Sequence, residues 1–422
     1  VLVISGGTAT NCIVSVFASL ARQSATYVMP ISDNGGSTSE ILRVIGGPAI
    51  GDIRSRITRL IPSTSRSKPL QALFSLRLPR DAQLAKAQWI DLVEGTHPLW
   101  HDVESHYRDL IRPFFIHVHT ELLKRARPGK EFRFEAASIG NLFLTGARLF
   151  FGSLDSAIEL LLRINLISES VHVLPALNTN FTHNISASLT NGQLITGQNQ
   201  ISHPQLSLIP ATITSEVDNI NLPPLASQWV DSEDAHLPFT HPDLKLSQIH
   251  FDKNVNHPLP APIERIFYIN PYGQEIFPRA GSRVLKLARE ADIIVYSIGS
   301  LYTSLVPVLI LEGVADAIVY DAERESKLES KKKVLILNGC KDRETETMSG
   351  VDMVIAIIQA CYYSLHGHHL TKPEILERKE EIMWHNFITD VIFLENTILA
   401  PDEVDYLQEQ MTINCHKVPN AD

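Results

Sequence analysis

The chain is short of cysteine, of positive charge and of long hydrophobic runs, and each shortage removes a class of protein. Four cysteines in 422 residues, Cys12, Cys340, Cys361 and Cys415, lie far apart with no paired spacing. That excludes a disulfide framework and a thiolate zinc site, and it predicts a reducing, cytoplasmic home. No apolar run reaches the ~18 to 20 residues that span a bilayer, and no signal peptide is visible, so no membrane role is expected. The chain opens at Val1, without methionine and already inside a strand, which points to residues upstream. A formal net charge of -10 and a pI near 5.9 repel polyanions, which argues against nucleic acid as a partner. Gly-x-Ser-x-Gly and His-Glu-x-x-His are both missing, against a serine hydrolase or a zinc peptidase, and no internal repeat is evident.

What is present is ordinary globular material: 44% hydrophobic and 20% charged residues. The length exceeds the ~250 to 300 residues at which one core stops growing, so one large α/β domain over 1–422 with sizeable insertions is expected. Val1 to Ile4 is a short apolar run of the kind that forms a buried parallel strand, and it enters the turn Ser5-Gly6-Gly7-Thr8. Helical spacing of Ile13, Val16, Phe17, Leu20 and Ala21 follows, with Thr10 or Asn11 placed to cap that helix. Tyr27 to Ile31 reads as a second strand, ending in the glycine-bearing turn Ser32 to Thr38.

Helical patterning then dominates. A helical cap region is expected over 71–135, and two more helices between Ala136 and Asn165. Val171 to Leu174, Ile185 to Leu189 and Leu194 to Thr196 read as strands, with Asn191-Gly192 as the hairpin signal of a small antiparallel flap. Residues 202–262, rich in proline and histidine, read as an irregular insertion. Ile266 to Ile269, Ile293 to Ile298, Ala317 to Tyr320 and Val334 to Asn338 are expected as buried strands, alternating with helices around Gly281 to Arg289 and Val351 to Tyr362. That rhythm predicts a mostly parallel, doubly wound, Rossmann-like sheet.

Several loops carry residues suited to an anionic ligand. Gly6 and Gly7 let backbone amides approach a phosphate at a helix start, although the same turn serves tight packing equally well. Asp33 and Asp52 sit in glycine-bearing loops, where two carboxylates hold a magnesium ion or supply a general base, or merely brace turns. Arg54 and Arg56 suit phosphate recognition or an exposed basic helix face. Ser138-Ile139-Gly140-Asn141 and Gly299-Ser300 each read as a second anion site or as a plain helix cap. The clusters His366-Gly367-His368-His369 and His117-Val118-His119 lack cysteine or carboxylate partners at ligand spacing and read as surface histidines. Asn180-Phe181-Thr182 and Asn184-Ile185-Ser186 match the glycosylation pattern, which matters only in secreted chains.

In their order, these motifs resemble the CofD/YvcK family, which includes 2-phospho-L-lactate transferase and the UPF0052-type gluconeogenesis-factor proteins. Ser5-Gly6-Gly7-Thr8, Ser32-Asp33-Asn34-Gly35-Gly36-Ser37-Thr38 and Gly47-Pro48-Ala49-Ile50-Gly51-Asp52-Ile53-Arg54 match its first three elements. Ser138 to Leu142, Val173 to Ala176 and Gly299 to Ser304 match later ones. Ala9, Ser39 and Ser297-Ile298 depart from the usual pattern, and the family's Gly-Glu-Thr aligns loosely with Thr345-Glu346-Thr347 after a retained Asn338. The resemblance implies a nucleotide-binding crevice and, in the transferase branch, magnesium-dependent transfer of a phospholactyl group from a guanylated donor to a deazaflavin alcohol. Asp33 and Asp52 would be metal ligands or the catalytic base. Gly6, Gly7, Thr8, Asn34, Gly35, Ser37, Arg54, Ser138, Gly140, Asn141, Gly299 and Ser300 would surround the phosphates. The other branch implies a UDP-sugar-binding, non-catalytic regulator of carbon metabolism. The expected partner is a nucleotide or nucleotide-sugar ligand, with room for a homo-oligomer.

Overall fold

A computed structural model describes residues 1–7, 9–20, 24–202, 241, 244, 258–320, 331–395 and 398–419. The expected insertion therefore lies outside the described residues except for Ser202, His241, Leu244 and 258–262.

Two adjacent apolar segments, β1 (Leu2–Ile4) and β2 (Ala25–Met29), are buried at every position. A strand covered on both faces has no solvent side to alternate toward, which is why these runs are continuously apolar. They pair in parallel, Val3 against Tyr27, and β2 pairs onward with β3 (Val171–Pro175). The flap comprises β4 (Asn184–Leu189), β5 (Leu194–Thr196), β6 (Ile263–Ile269) and the short β7 (Glu275–Ile276), all antiparallel in the order 5-4-6-7. On the other side of β1 lies β8 (Ile293–Tyr296), with Val3 opposite Val295, followed by β9 (Lys332–Ile336), β10 (Asp390–Leu394) and β11 (Asn414–Val418). The main sheet runs 11-10-9-8-1-2-3 and its described pairings are all parallel.

This order reverses direction between β1 and β8. In open parallel sheets such a switch point parts the crossover connections and leaves a crevice beyond the carboxyl ends of the two strands. The loops that follow β1 and β8 therefore face one another: the Thr10 hydroxyl donates to Ser297 Oγ at 3.1 Å and to the Ile298 carbonyl at 2.7 Å. That use removes Thr10 as a helix cap. Asn11 does not cap either, since its amide donates to Ser55 Oγ, and a short 3-10 turn precedes α1 (Val14–Leu20).

The remaining helices include α2 (Gly36–Val44), α3 (Gly51–Leu60), α4 (Ser67–Ser75), α5 (Ala82–Glu94), α6 (Ser105–Arg125), α7 (Ile139–Phe151), α8 (Leu154–Ile164), α9 (Gln198–Ser202) and α10 (Ser282–Glu290). The segment Ala317 to Tyr320, expected as a strand, is instead the end of the helix α11 (Val314–Val319), with Tyr320 as its C-cap. A four-residue apolar run cannot distinguish a buried strand from a buried helix, and here Gly313, at φ 87°, turns the chain into a helix buried through Val314, Ala315, Ala317 and Ile318. One continuous apolar cluster extends from Leu2 to Ile413.

Candidate functional site

A cleft of about 1210 Å³ lies at the switch point. Of the residues singled out by sequence, Gly6, Gly7, Asp33, Gly35, Ser37, Asp52, Arg54, Asn141, Gly299 and Ser300 all line it, although they come from five separate segments of the chain. Thr8 lies outside the described residues. Asn34, Ser138 and Gly140 do not face the cleft. Ser138 caps α7 by accepting from the Asn141 amide, and Asn34 Oδ1 is buried without a partner among the described residues. Gly140 serves packing: a Cβ there would come within 2.7 Å of Arg54 Cγ and of the Phe74 carbonyl. Arg56 is also absent from the lining. It is fully buried, stands 5.1 Å over the Tyr27 ring and donates to Ser5 Oγ at 3.1 Å.

Three helices begin at this cleft. Gly36 and Ser37 open α2, Gly51 and Asp52 open α3, and Asn141 lies in the first turn of α7. Neither α2 nor α3 has a side-chain cap, so first-turn N–H groups remain to meet a ligand, where the helix dipoles also favour negative charge. The glycines admit that approach. Gly7 adopts φ 44° and Gly36 φ 55°, in the left-handed region that other residues avoid. Across the cleft Gly299, at φ 142°, is clamped by Asn338, which accepts from its N–H at 3.0 Å and donates to its carbonyl at 2.8 Å.

Asp33 Oδ1 accepts from the Gly35 amide at 3.0 Å, which points the carboxylate into its own loop mouth. Asp52 accepts from the Gly7 amide. Burial and then the charge of Asp33 push its carboxyl up to about 7, against the pull of that amide, Arg56 and Arg54. A half-buried carboxylate whose charge is opposed by a second carboxylate nearby gains from a cation between them. A magnesium ion suits this donor set, because it takes one or two carboxylates and completes its shell with water and phosphate oxygens.

Beside the acids stands a basic wall. Arg54, 9% exposed, is held by Asn141, whose Oδ1 accepts from Arg54 Nε at 3.4 Å. Burial first, and Arg77 second, draw its guanidinium down to about 10, while Asp52 opposes the shift. Arg77 and Arg80 line the same cleft, as do Thr38, Ser55, Thr303 and Ser304, and Gln198, Asn199 and Ser202 from the flap helix α9. Thr38, Thr303 and Ser304 fall within the matched motifs without having been assigned a role, and the others were not singled out by sequence. A backbone bridge between Arg77 and Ser138, with Leu78 N–H bonded to the Ala137 carbonyl at 2.9 Å, delivers Arg77 to the site. Ala136, on the same bridge, is held at φ 56° in the left-handed region.

Behind the cleft lies Glu344, 5% exposed. It accepts from the backbone amides of Tyr302 and Thr303 at 3.0 and 3.1 Å, and from the hydroxyls of Thr303 and Ser202 at 2.6 and 2.7 Å. Burial, with Asp342 second, raises its carboxyl to about 7 despite those donors. In the segment where the family's Gly-Glu-Thr was loosely aligned, Glu346 is exposed, whereas Glu344 and Thr345 are buried. The histidine clusters remain outside the site. His366 and His368 are exposed, His119 accepts from Trp89 Nε1 at 3.1 Å, and among the described residues no group of three or more metal-ligating side chains is assembled.

A Rossmann-like sheet with a crevice at its switch point, lined by a carboxylate pair and by arginines, defines the class of protein. The chain belongs to the CofD family: the family model described as "2-phospho-L-lactate transferase CofD" matches residues 1–415. It is 45% identical, over all of its own length and 96% of the relative's, to the uncharacterized protein YNL011C of Saccharomyces cerevisiae. Two crystal structures of protein BH3568 from Bacillus halodurans share the fold, each with a TM-score of 0.56 and 16% identity over 99% of this chain and 91% or 92% of that one. One of them is described as a member of the UPF0052 family. Among the described residues no helix is long and apolar enough to cross a membrane.

Proposed function

We propose that the cleft binds a nucleotide-diphosphate-linked donor with a magnesium ion and transfers the donor's phosphorus-containing group to an acceptor hydroxyl, in the manner of a 2-phospho-L-lactate transferase. The observation that carries this reading is the meeting of Asp33 and Asp52 with the uncapped starts of α2 and α3. Carboxylates alone would repel a diphosphate, and amides alone would not hold a cation. Together they fit a metal-diphosphate pair.

Asp33 and Asp52 would hold the magnesium ion, which supplies charge neutralisation at the transferring phosphorus. In the step, the acceptor oxygen forms a bond to phosphorus and the bond from phosphorus to the nucleotide monophosphate oxygen breaks. The acceptor's proton passes to water, because both carboxylates would be engaged by the cation. First-turn amides of α2 and α3 and the Arg54 guanidinium stabilise the charge that develops on the departing phosphate. Four free thiols among the described residues suit a cytoplasmic setting.

Calorimetry with guanosine and uridine nucleotides, with and without magnesium, tests the reading. Magnesium-dependent binding that is lost in Asp33→Ala and Asp52→Ala is expected, together with turnover of a guanylated donor. A UDP-sugar bound without magnesium and recovered intact would replace the transferase with a non-catalytic, metabolite-sensing regulator.

A further inference from the structure

The arginine wall has more donor capacity than a single metal-bound diphosphate requires. Arg77 donates only through Nη1, to Ser37 Oγ and to the Ala136 carbonyl, both at 3.4 Å, and Arg54 only through Nε, to Asn141 at 3.4 Å. These are long contacts for guanidinium donors, whose charge-assisted bonds lie near 2.7 to 2.9 Å. Neither arginine forms an ion pair with a carboxylate among the described residues. Each guanidinium carries five N–H bonds, so both residues keep spare donors where they line the cleft, with Arg77 exposed and Arg54 nearly buried.

The linking residues are set to donate as well. Arg54 can only donate, which fixes the Asn141 amide with its oxygen toward Arg54 and its nitrogen toward Ser37, at 3.1 Å from Oγ. Ser37 Oγ thus accepts twice, from Asn141 and from Arg77, and its own O–H has no acceptor among the described residues. Arg77, Ser37, Asn141 and Arg54 form a continuous chain whose spare hydrogens are all donors. Arg54 follows Asp52 by two residues at the start of α3 and is joined to Arg77 through Asn141 and Ser37. Charge therefore changes sign along the cleft, from Asp33 and Asp52 through Arg54 to Arg77.

We infer that Arg77 joins Arg54 and Ser37, already expected to face a phosphate, in a metal-independent oxyanion subsite for a phosphoryl group of the ligand, separate from the cation-dependent position at Asp33 and Asp52. The inference rests on the reading above only in placing the ligand in the same cleft. It adds that the ligand carries two anionic centres, one met through a cation and one met directly by guanidinium. Two forked cations and a hydroxyl match a tetrahedral phosphoryl group, whose several oxygens can each accept, better than a planar carboxylate with two.

The test is titration of the full chain with sodium diphosphate and inorganic phosphate in EDTA. The wild-type chain is expected to bind diphosphate without a divalent cation, and Arg77→Gln to weaken that binding by about tenfold or more, the scale of one charge-assisted hydrogen-bond pair. Arg77→Lys should recover part of the loss. Ser37→Ala should weaken binding by a few-fold at unchanged melting temperature, which guards against misfolding as the cause. Lys286→Gln, a change on the exposed face of α10, should leave binding as it was. Diphosphate binding that is absent from the wild type, indifferent to Arg77→Gln, or weakened as much by Lys286→Gln overturns the inference. A separate titration with nucleotide and magnesium keeps the outcomes distinct: nucleotide binding with indifference to Arg77 defeats only the subsite. Arg77-dependent diphosphate binding without nucleotide binding defeats only the earlier reading.

Discussion

Asp52 and Glu344 are acids whose carboxyls are both pushed up to about 7, yet Glu344 is buried and Asp52 only half-buried, and they stand in opposite surroundings. Glu344 is enclosed by four donors that join the flap helix α9, the loop 299–305 and the loop after β9. Asp52 meets one backbone amide and a second carboxylate, and opens on the cleft. The same titration shift thus marks a strut in one place and an unfinished site in the other. What separates them is how many of the carboxylate's lone pairs the protein itself satisfies.

The largest effect expected from this contrast is at Glu344. Glu344→Ala leaves two amides and two hydroxyls without their acceptor, and should cost about 3 kcal/mol of stability in urea denaturation at pH 7. Glu344→Gln should cost less, because its carbonyl still accepts. Wild-type stability in the alanine variant would reduce Glu344 to a bystander.

Asp52→Asn should act with the opposite sign. Removing the like charge beside Asp33 should raise the stability of the ligand-free chain by about 1 kcal/mol at pH 8, with solvent access discounted, while abolishing magnesium-dependent ligand binding. A stability loss would show that the pair is not in conflict.

The pH dependence follows with the sign worked through. Both acids have higher pKa values folded than unfolded, so between roughly pH 4 and 7 the native chain binds more protons, and its stability falls as pH rises. Above about 7 the contribution is constant. Urea midpoints across pH 5 to 8 should slope downward in the wild type and less steeply in Asp52→Asn. The smallest effect is at the helix cap: Ser138→Ala should cost about 0.5 to 1 kcal/mol and leave ligand affinity nearly intact, as suits a residue that supports Asn141 without facing the cleft.

Much of the sheet was legible because β1, β2, β3 and β8 are apolar at nearly every position, which no solvent-facing strand would be. The edge strand β11, Asn-Cys-His-Lys-Val and largely exposed, carries no such pattern and was missed, and with it the partner β10. The glycine and aspartate loops could be read because their residue types are demanded locally by turns and charge. Arg77 and the α9 residues could not. Arg77 reaches the cleft only through the pairing of 76–79 with 136–139, and Gln198, Asn199 and Ser202 only through the folding back of the flap. Nothing in their own neighbourhoods requires those positions.

The central place of β1 has a consequence for how the chain is made. Its β2 edge is covered early, but the other edge must wait for Ile293–Tyr296, because β8 is the neighbour it requires. At ordinary ribosomal speeds that leaves one side of the innermost strand bare for roughly 15 to 60 s during synthesis. The nascent chain should therefore lean on chaperones until late, and fragments truncated before β8 should aggregate rather than assemble any part of the crevice.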